Sequence, residues 1–207
     1  MDTATQKHGL VFPAGVVSHT GAGGLVLGGG TGWLTRLLGL SCDNVVGFTL
    51  VTADGSLVRA SNAENPEFYW ALRGGGGNFG VVTEFEVRLH PLTSVLLASS
   101  YCQQDDIVGV LQDWRESMPA APDELKWNIS LVLAPNDDRA PKEIRGKAAL
   151  SSSIVWFGDE AAGQRHINRI FSVGGHVGRS MKTISYLSLQ TMADADFPHG
   201  RRYYTKA

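Results

Sequence analysis

The residues best suited to chemistry are glycines. Residues 21–32 read Gly21-Ala22-Gly23-Gly24-Leu25-Val26-Leu27-Gly28-Gly29-Gly30-Thr31-Gly32, and residues 74–77 are four glycines in a row. Backbone without Cβ atoms lets a ligand lie directly against main-chain amides, so dinucleotide or phosphate binding is the first chemistry to test. The familiar spacings fail that test. No Gly-x-x-x-x-Gly-Lys-Ser/Thr occurs, and Gly21-x-Gly23 is followed by Val26 where a dinucleotide fingerprint requires glycine or alanine. No βα unit precedes it, so a nicotinamide site is not expected.

Other reactive residue types are sparse. Cys42 stands beside Asp43 in an apolar context and reads as a buried structural thiol. His19 precedes the first glycine cluster and is open to either a ligand-facing or a packing role. His199, Arg201, Arg202, Tyr203 and Tyr204 form a polar, aromatic knot that fits substrate contact and a hydrogen-bonded loop equally well. The acidic pairs Asp105/Asp106 and Asp137/Asp138 read as helix-start and turn residues. No Cys/His cluster has zinc spacing and no Ser-His-Asp set can be argued, so no metal is expected and no catalytic residue is assigned.

The elements that must position these residues follow from pattern. Trp33 to Leu40 has Leu34, Leu37 and Leu38 at helical spacing, with Gly39 near its end. Asn44 to Val51 and Ser56 to Ala60 flank Ala53-Asp54-Gly55 and read as a hairpin. Asn65-Pro66 supplies an N-cap and a first-position proline for a helix that stops at Gly74. After Asn78-Phe79-Gly80, the residues Val81, Thr83, Phe85, Val87 and Leu89 alternate with Glu84, Glu86 and Arg88, the period of a half-buried strand. His90-Pro91 ends it.

Glycine then thins out, and a domain boundary is expected near residue 92. Beyond it the pattern predicts strands over 95–103, 126–133 and 148–157 and helices over 105–118 and 159–171. The order β-α-β-β-α suggests an antiparallel sheet covered on one face by helices.

Composition bounds the function. Eighteen Lys and Arg against 20 Asp and Glu leave a net charge of −2, without the basic footprint of a nucleic-acid or anionic-membrane binder. No apolar run approaches the roughly 20 residues of a membrane span. Two cysteines form no staple framework, which is compatible with a reducing compartment. With 25 glycines in 207 residues the chain is richer in glycine than the usual share of about 7%, and the excess is concentrated in the two clusters.

Taken in order, the first glycine cluster, the segment Gly39-Leu40-Ser41-Cys42-Asp43-Asn44-Val45-Val46-Gly47, the hairpin, and the block from Asn65-Pro66 through Trp70-Ala71-Leu72-Arg73 and the second cluster to Thr83 form one block. This block resembles the FAD-binding domain of the covalent flavoprotein oxidases of the berberine-bridge-enzyme and 6-hydroxynicotine-oxidase type, in the vanillyl-alcohol-oxidase group. The resemblance covers residues 5–92, and Phe197-Pro198-His199-Gly200-Arg201-Arg202-Tyr203-Tyr204 is similar to a stretch of that family's substrate domain.

The resemblance implies an α+β fold: the C-terminal part of a PCMH-type FAD-binding domain over 1–92, then an incomplete antiparallel-sheet substrate domain over 93–207. It implies FAD as cofactor, with Gly21, Gly24, Leu27, Gly28 and Gly29 lining the flavin and Gly80 and Val82 offering main-chain contacts. Asp43 and Asn44 are expected to fix the loop. Two positions depart from the pattern. Val17 stands where bicovalent members carry a flavin-linking cysteine, and Leu25 stands where many relatives carry a cofactor-bonding histidine.

The implied activity is FAD-dependent oxidation of a small-molecule substrate at a CH–OH or CH–NH carbon, with no nucleic-acid or membrane partner. The segment with the flavin-linking histidine and the remainder of the substrate domain, which holds the usual catalytic base, are not in this sequence, so it is expected to be an internal portion of an oxidase. The rival expectation is a non-catalytic interaction module that does not hold FAD alone.

Overall fold

The computed structural model describes residues 1–201 and residue 203. The chain divides into two compact units, residues 1–93 with the segment from Tyr186 onward, and residues 94–185.

In the first unit, α1 (Asp2–Thr5) leads to β1 (Leu10–Val11), α2 (Ala22–Leu27), α3 (Thr35–Leu38), β2 (Val45–Val51), β3 (Leu57–Ser61), α4 (Pro66–Leu72), β4 (Val81–Val87) and β5 (His90–Pro91). β2 is the centre of an antiparallel sheet of order β3-β2-β4, and β1 pairs with β5. Phe12, Val26, Val45, Phe48, Leu50, Ala60, Tyr69 and Leu72 form its core. Each such large apolar side chain contributes about 1.5–3 kcal/mol on burial. The Tyr69 hydroxyl leaves that core polar-satisfied by donating to the Val45 carbonyl at 2.7 Å.

Two local expectations need correction, and one element was not foreseen: Ala22–Leu27, within the first glycine cluster, is helical. Glycine disfavours helix by about 1 kcal/mol per residue, so packing carries the conformation, and Val26 is the buried anchor. Asn65 adopts the left-handed region (φ 50°) and makes no side-chain cap. Its amide instead donates to the Arg59 carbonyl at 2.7 Å.

The simple period of two in β4 also breaks. Glu84 pairs with Thr49 but Val82 pairs with Leu50, so a bulge at Thr83 inverts the parity. Val82 and Phe85 pack on the core while Val81 is 70% exposed.

The second unit contains β6 (Ser94–Cys102), α5 (Ile107–Ser117), β7 (Leu125–Leu133), β8 (Ala148–Trp156), α6 (Glu160–Phe171) and β9 (His176–Ser185). Its antiparallel sheet has the order β7-β8-β6-β9. Leu96, Ala98, Leu150, Ile154 and Trp156 share one face and pack on Val110 of α5 and Ile167, Ile170 and Phe171 of α6. Asp159 caps α6 by accepting from Ala162 N at 2.9 Å, and Arg169 grips Asp113 through two 2.6 Å bonds that tie α6 to α5. This is the α+β arrangement of an antiparallel sheet with helices on one face. β9 went unforeseen because its sequence is polar and interrupted by Gly178, which adopts φ +58°.

The chain then returns to the first unit. α7 (Tyr186–Gln190) begins with Tyr186 N donating to the Thr93 carbonyl at 2.9 Å, and Tyr186, Leu189 and Gln190 are fully buried. The segment from Tyr186 onward thus packs within the first compact unit.

Candidate cofactor site

α2 presents glycine on its outer side. Gly21 is its N-cap residue and Gly28 its C-cap residue. A Cβ built on Gly21 or Gly24 meets nothing within 4 Å, and Gly21, Gly24 and Gly28 are all exposed. The first-turn N–H groups of Ala22, Gly23 and Gly24 have no intrahelical acceptor and donate to no backbone carbonyl among the described residues. Gly21, Gly24, Leu27 and Gly28 therefore share one short element.

Leu27 and Gly29 serve as joints. The Leu27 carbonyl accepts from Gly76 N at 2.9 Å, which ties the first glycine cluster to the second. Gly29 is buried; its carbonyl accepts from Cys42 N at 2.9 Å and its N–H donates to Val26 at 3.1 Å. Gly80 has φ +147°, and a Cβ there would run into the Val51 carbonyl, so the chain can enter β4 at this point only as glycine. Val82 follows, half-buried on the edge strand β4.

Asp43 and Asn44 fix the loop between α3 and β2, as the sequence suggests. Asp43 accepts from Leu40 N and from Arg73 Nη2, both at 2.9 Å, and Arg73 Nε donates to the Cys42 carbonyl at 2.9 Å. Asn44 Nδ2 donates to the Leu38 and Leu40 carbonyls, and its Oδ1 lies 2.7 Å from His90 Nε2. Burial, then the charge of Arg88, lowers the His90 pKa. Cys42 is a buried free thiol whose pKa is raised by burial and by the neighbouring Asp43 carboxylate.

The loop that feeds α2 is held from the far end of the chain. Buried Gln190 donates to the Gly15 carbonyl at 2.5 Å and accepts from the Tyr186 hydroxyl at 2.9 Å. Asp194 accepts from the Ser18 amide at 2.9 Å and its hydroxyl at 2.5 Å, and these bonds lower the Asp194 pKa. The His19 ring lies 4.0 Å from that of His199. Tyr203 donates to the Pro198 carbonyl and packs edge-on against Phe197. Arg202 and Tyr204, the rest of that knot, lie outside the described residues. Sequence reasoning missed Gln190, Asp194 and Ser18, since lone polar residues so far apart leave no local pattern.

The remaining candidates have structural partners. Asp137 pairs with Arg139 and Asp138 with Arg145, and hydrogen bonds from Arg139 hold the Asp137 carboxyl at about 2. In the second unit His176 Nδ1 lies 2.8 Å from Ser100 Oγ and 3.3 Å from Cys102 Sγ. Its Nε2 is buried without a partner among the described residues. Burial raises the Cys102 pKa to about 11 and, with Arg179, lowers that of His176, so both are neutral at pH 7. Among the described residues no group of three or more His, Cys, Asp or Glu is placed to hold a metal, and no helix is long and apolar enough to cross a membrane.

Residues 1–61 match the family model described as an FAD binding domain. The chain is 36% identical over 209 residues to an FAD-linked oxidoreductase of Dictyostelium discoideum, covering all of this chain and 43% of the relative. It is 34% identical over 183 residues to (R)-6-hydroxynicotine oxidase of Paenarthrobacter nicotinovorans, covering 87% of this chain and 38% of that protein. The crystal structure of 6-hydroxy-D-nicotine oxidase from Arthrobacter nicotinovorans superposes with a TM-score of 0.77 at 30% identity, over 96% of this chain and 42% of the other. Berberine bridge enzyme from Eschscholzia californica shares the fold, with a TM-score of 0.72 at 21% identity, over 90% of this chain and 36% of that one.

Fold and sequence together define the class: FAD-linked oxidases of the 6-hydroxynicotine-oxidase and berberine-bridge type. FAD is the cofactor of that class. The chain spans about two fifths of the length of the curated relatives it matches. The residues present fit the group, because α2 offers a bare glycine face and first-turn amides with no backbone acceptor among the described residues, a surface a cofactor can reach closely.

Proposed function

We propose that this chain supplies part of the cofactor cradle and part of the substrate domain of an FAD-dependent oxidase or dehydrogenase acting on a small molecule. When bound, FAD supplies a hydride acceptor at N5 for a CH–OH or CH–NH carbon, which becomes C=O or C=N with loss of a proton, the electrons passing on to dioxygen or another acceptor. The observation that carries the reading is the open glycine face of α2, at Gly21 and Gly24, within the matched domain.

In this reading residues 1–92 belong to the FAD-binding domain and 93–207 to the substrate domain. Gly21, Gly24 and Gly28 let the cofactor reach main chain, and Leu27 and Gly29 hold that surface in place through Gly76 and Cys42. Gly80 sets the entry to β4. Because β4 is an edge strand, its main-chain groups that face away from β2, around Val82, are available for further contacts. No residue here is assigned the proton transfer.

The test is the absorption spectrum of the purified chain after gel filtration with FAD, repeated after denaturing precipitation. A retained yellow species whose flavin is released on denaturation is expected. A colourless protein would overturn the claim that this chain's own glycine face holds the cofactor.

A further inference from the structure

The two edges of the second unit's sheet are built differently. β9, at one edge, carries Arg179 and Lys182, is interrupted by Gly178 at φ +58°, and shifts register against β6 between Ser99 and Tyr101. Charge and irregularity of this kind keep an open edge from pairing with another chain. β7, at the other edge, lacks such protection in its second half. Its register against β8 runs without a shift from Leu125 to Leu133, and residues 129–133 read Ile-Ser-Leu-Val-Leu, with no charge, proline or glycine.

The direction of each main-chain group follows from the two ends of that ladder. Ala134 N donates to the Lys147 carbonyl at 2.9 Å and Phe157 N donates to the Glu124 carbonyl at 3.0 Å. Even-numbered residues of β7 therefore bond toward β8, and odd-numbered ones point out of the sheet. Early in the strand outward groups are taken: Leu125 N donates to the Pro122 carbonyl at 3.0 Å, and the Trp127 carbonyl accepts from Trp114 Nε1 at 2.9 Å. Further on they are open. The N–H and C=O groups of Ile129, Leu131 and Leu133 have no partner among the described residues. The same stretch holds Leu131 and Leu133, 71% and 74% exposed, on the face where Leu125 and Trp127 are buried.

We propose that residues 129–133 form a self-pairing strand that joins two copies of this chain edge to edge about a two-fold axis at Leu131. Antiparallel pairing centred there sets Leu131 opposite Leu131, Ile129 opposite Leu133 and Ser130 opposite Val132. The three outward-pointing residues of each copy then close six main-chain hydrogen bonds. Both exposed leucines gain apolar cross-strand neighbours. A second copy fits because the segment is its own complement: apolar meets apolar at each opposed pair on the leucine face, and no like charges are brought together. Pairing uses up the open edge, and the protected β9 edge stops growth at a dimer, whose continuous eight-stranded sheet is within the usual range for open sheets. This surface lies outside the proposed cofactor site and its pairing does not depend on FAD.

The test is sedimentation equilibrium of the full chain from about 1 to 200 µM, with a monomer–dimer equilibrium of micromolar Kd expected. Leu131→Lys sets two cations opposite each other at the axis and should weaken the dimer about tenfold or more. Leu131→Pro removes an outward N–H that β8 does not use and should also dissociate it. Leu133→Lys, equally exposed, reports if either variant fails to fold. Register is read by pulsed electron paramagnetic resonance with a spin label on Asn128→Cys, both native thiols being buried. Three residues on each side of the axis give a separation of about 20 Å. A monomer throughout the concentration range, a dimer unmoved by both lysine variants, a species larger than a dimer, or a dimer without the expected label separation would each overturn the proposal.

Discussion

The Asp194 carboxylate takes both hydrogen bonds that Ser18 can donate, one from its amide and one from its hydroxyl. Ser18 lies in the loop feeding α2, so a residue near the end of the chain orients the approach to the glycine face. Its charged form is the one the native state prefers. The Ser18 bonds lower its pKa, so its stabilisation is full above the unfolded-state value of about 3.9 and is lost as pH falls through the native value. Asp194→Asn should therefore melt below the parent chain at pH 6, and the gap should close on acidification below pH 4. Thermal denaturation across that range checks it.

Gln190 is the buried counterpart of this contact. Replacing it with Leu strands the Gly15 carbonyl and the Tyr186 hydroxyl without partners. The expected loss is about 1–3 kcal/mol for a buried polar group left unsatisfied, read from urea unfolding.

Two glycines should respond in opposite directions. Gly24→Ala adds a Cβ into open space on a helix and should stabilise by about 0.5–1 kcal/mol, while Gly24→Leu should weaken FAD retention without loss of stability. Gly80→Ala places a Cβ against the Val51 carbonyl at φ +147° and should cost about 2 kcal/mol or more. Chemical denaturation separates the two effects.

His176 sets a pH limit on the second unit. Burial and the Arg179 charge lower its pKa, so the unfolded chain binds a proton that the native chain refuses. Stability should fall as pH drops below about 6.5, by up to about 1.4 kcal/mol per pH unit from this group. Comparing the pH slope of unfolding in the parent and in His176→Gln isolates it from His90, whose pKa is lowered in the first unit by burial and Arg88.

Both thiols should be silent in the native state. Cys42 and Cys102 are buried and their pKa values are raised, chiefly by burial, so a thiolate-selective reagent should label them only as the chain unfolds. Labelling kinetics with and without denaturant give the answer directly.

Much of this fold was legible where side chains repeat with a clear period. β2 and β3 around Ala53-Asp54-Gly55, α4 between Pro66 and Leu72, and the paired helices α5 and α6 all announce themselves by spacing and punctuation. The strand β9 did not, because His176, Arg179, Ser180 and Lys182 carry no apolar alternation and are ordered by pairing with β6. α2 was hidden by glycine content and exists through packing of Val26. The bulge at Thr83 is invisible to a period count, since it is imposed by register against β2. For the site, the ordered glycine block pointed to the cofactor class, and the roles of Asp43 and Asn44 followed from their place in it. Ser18, Gln190 and Asp194 are joined only in three dimensions.

The return of α7 to the first unit has a consequence for how the chain matures. The partner of the Gly15 carbonyl lies 175 residues downstream, so on the ribosome the loop before α2 emerges long before Gln190 is made. The four described strands of the second unit, all between residues 94 and 185, are likewise made before Gln190. Closing so long a span is entropically slow, and the loop that orients the glycine face thus locks only after Gln190 has been made.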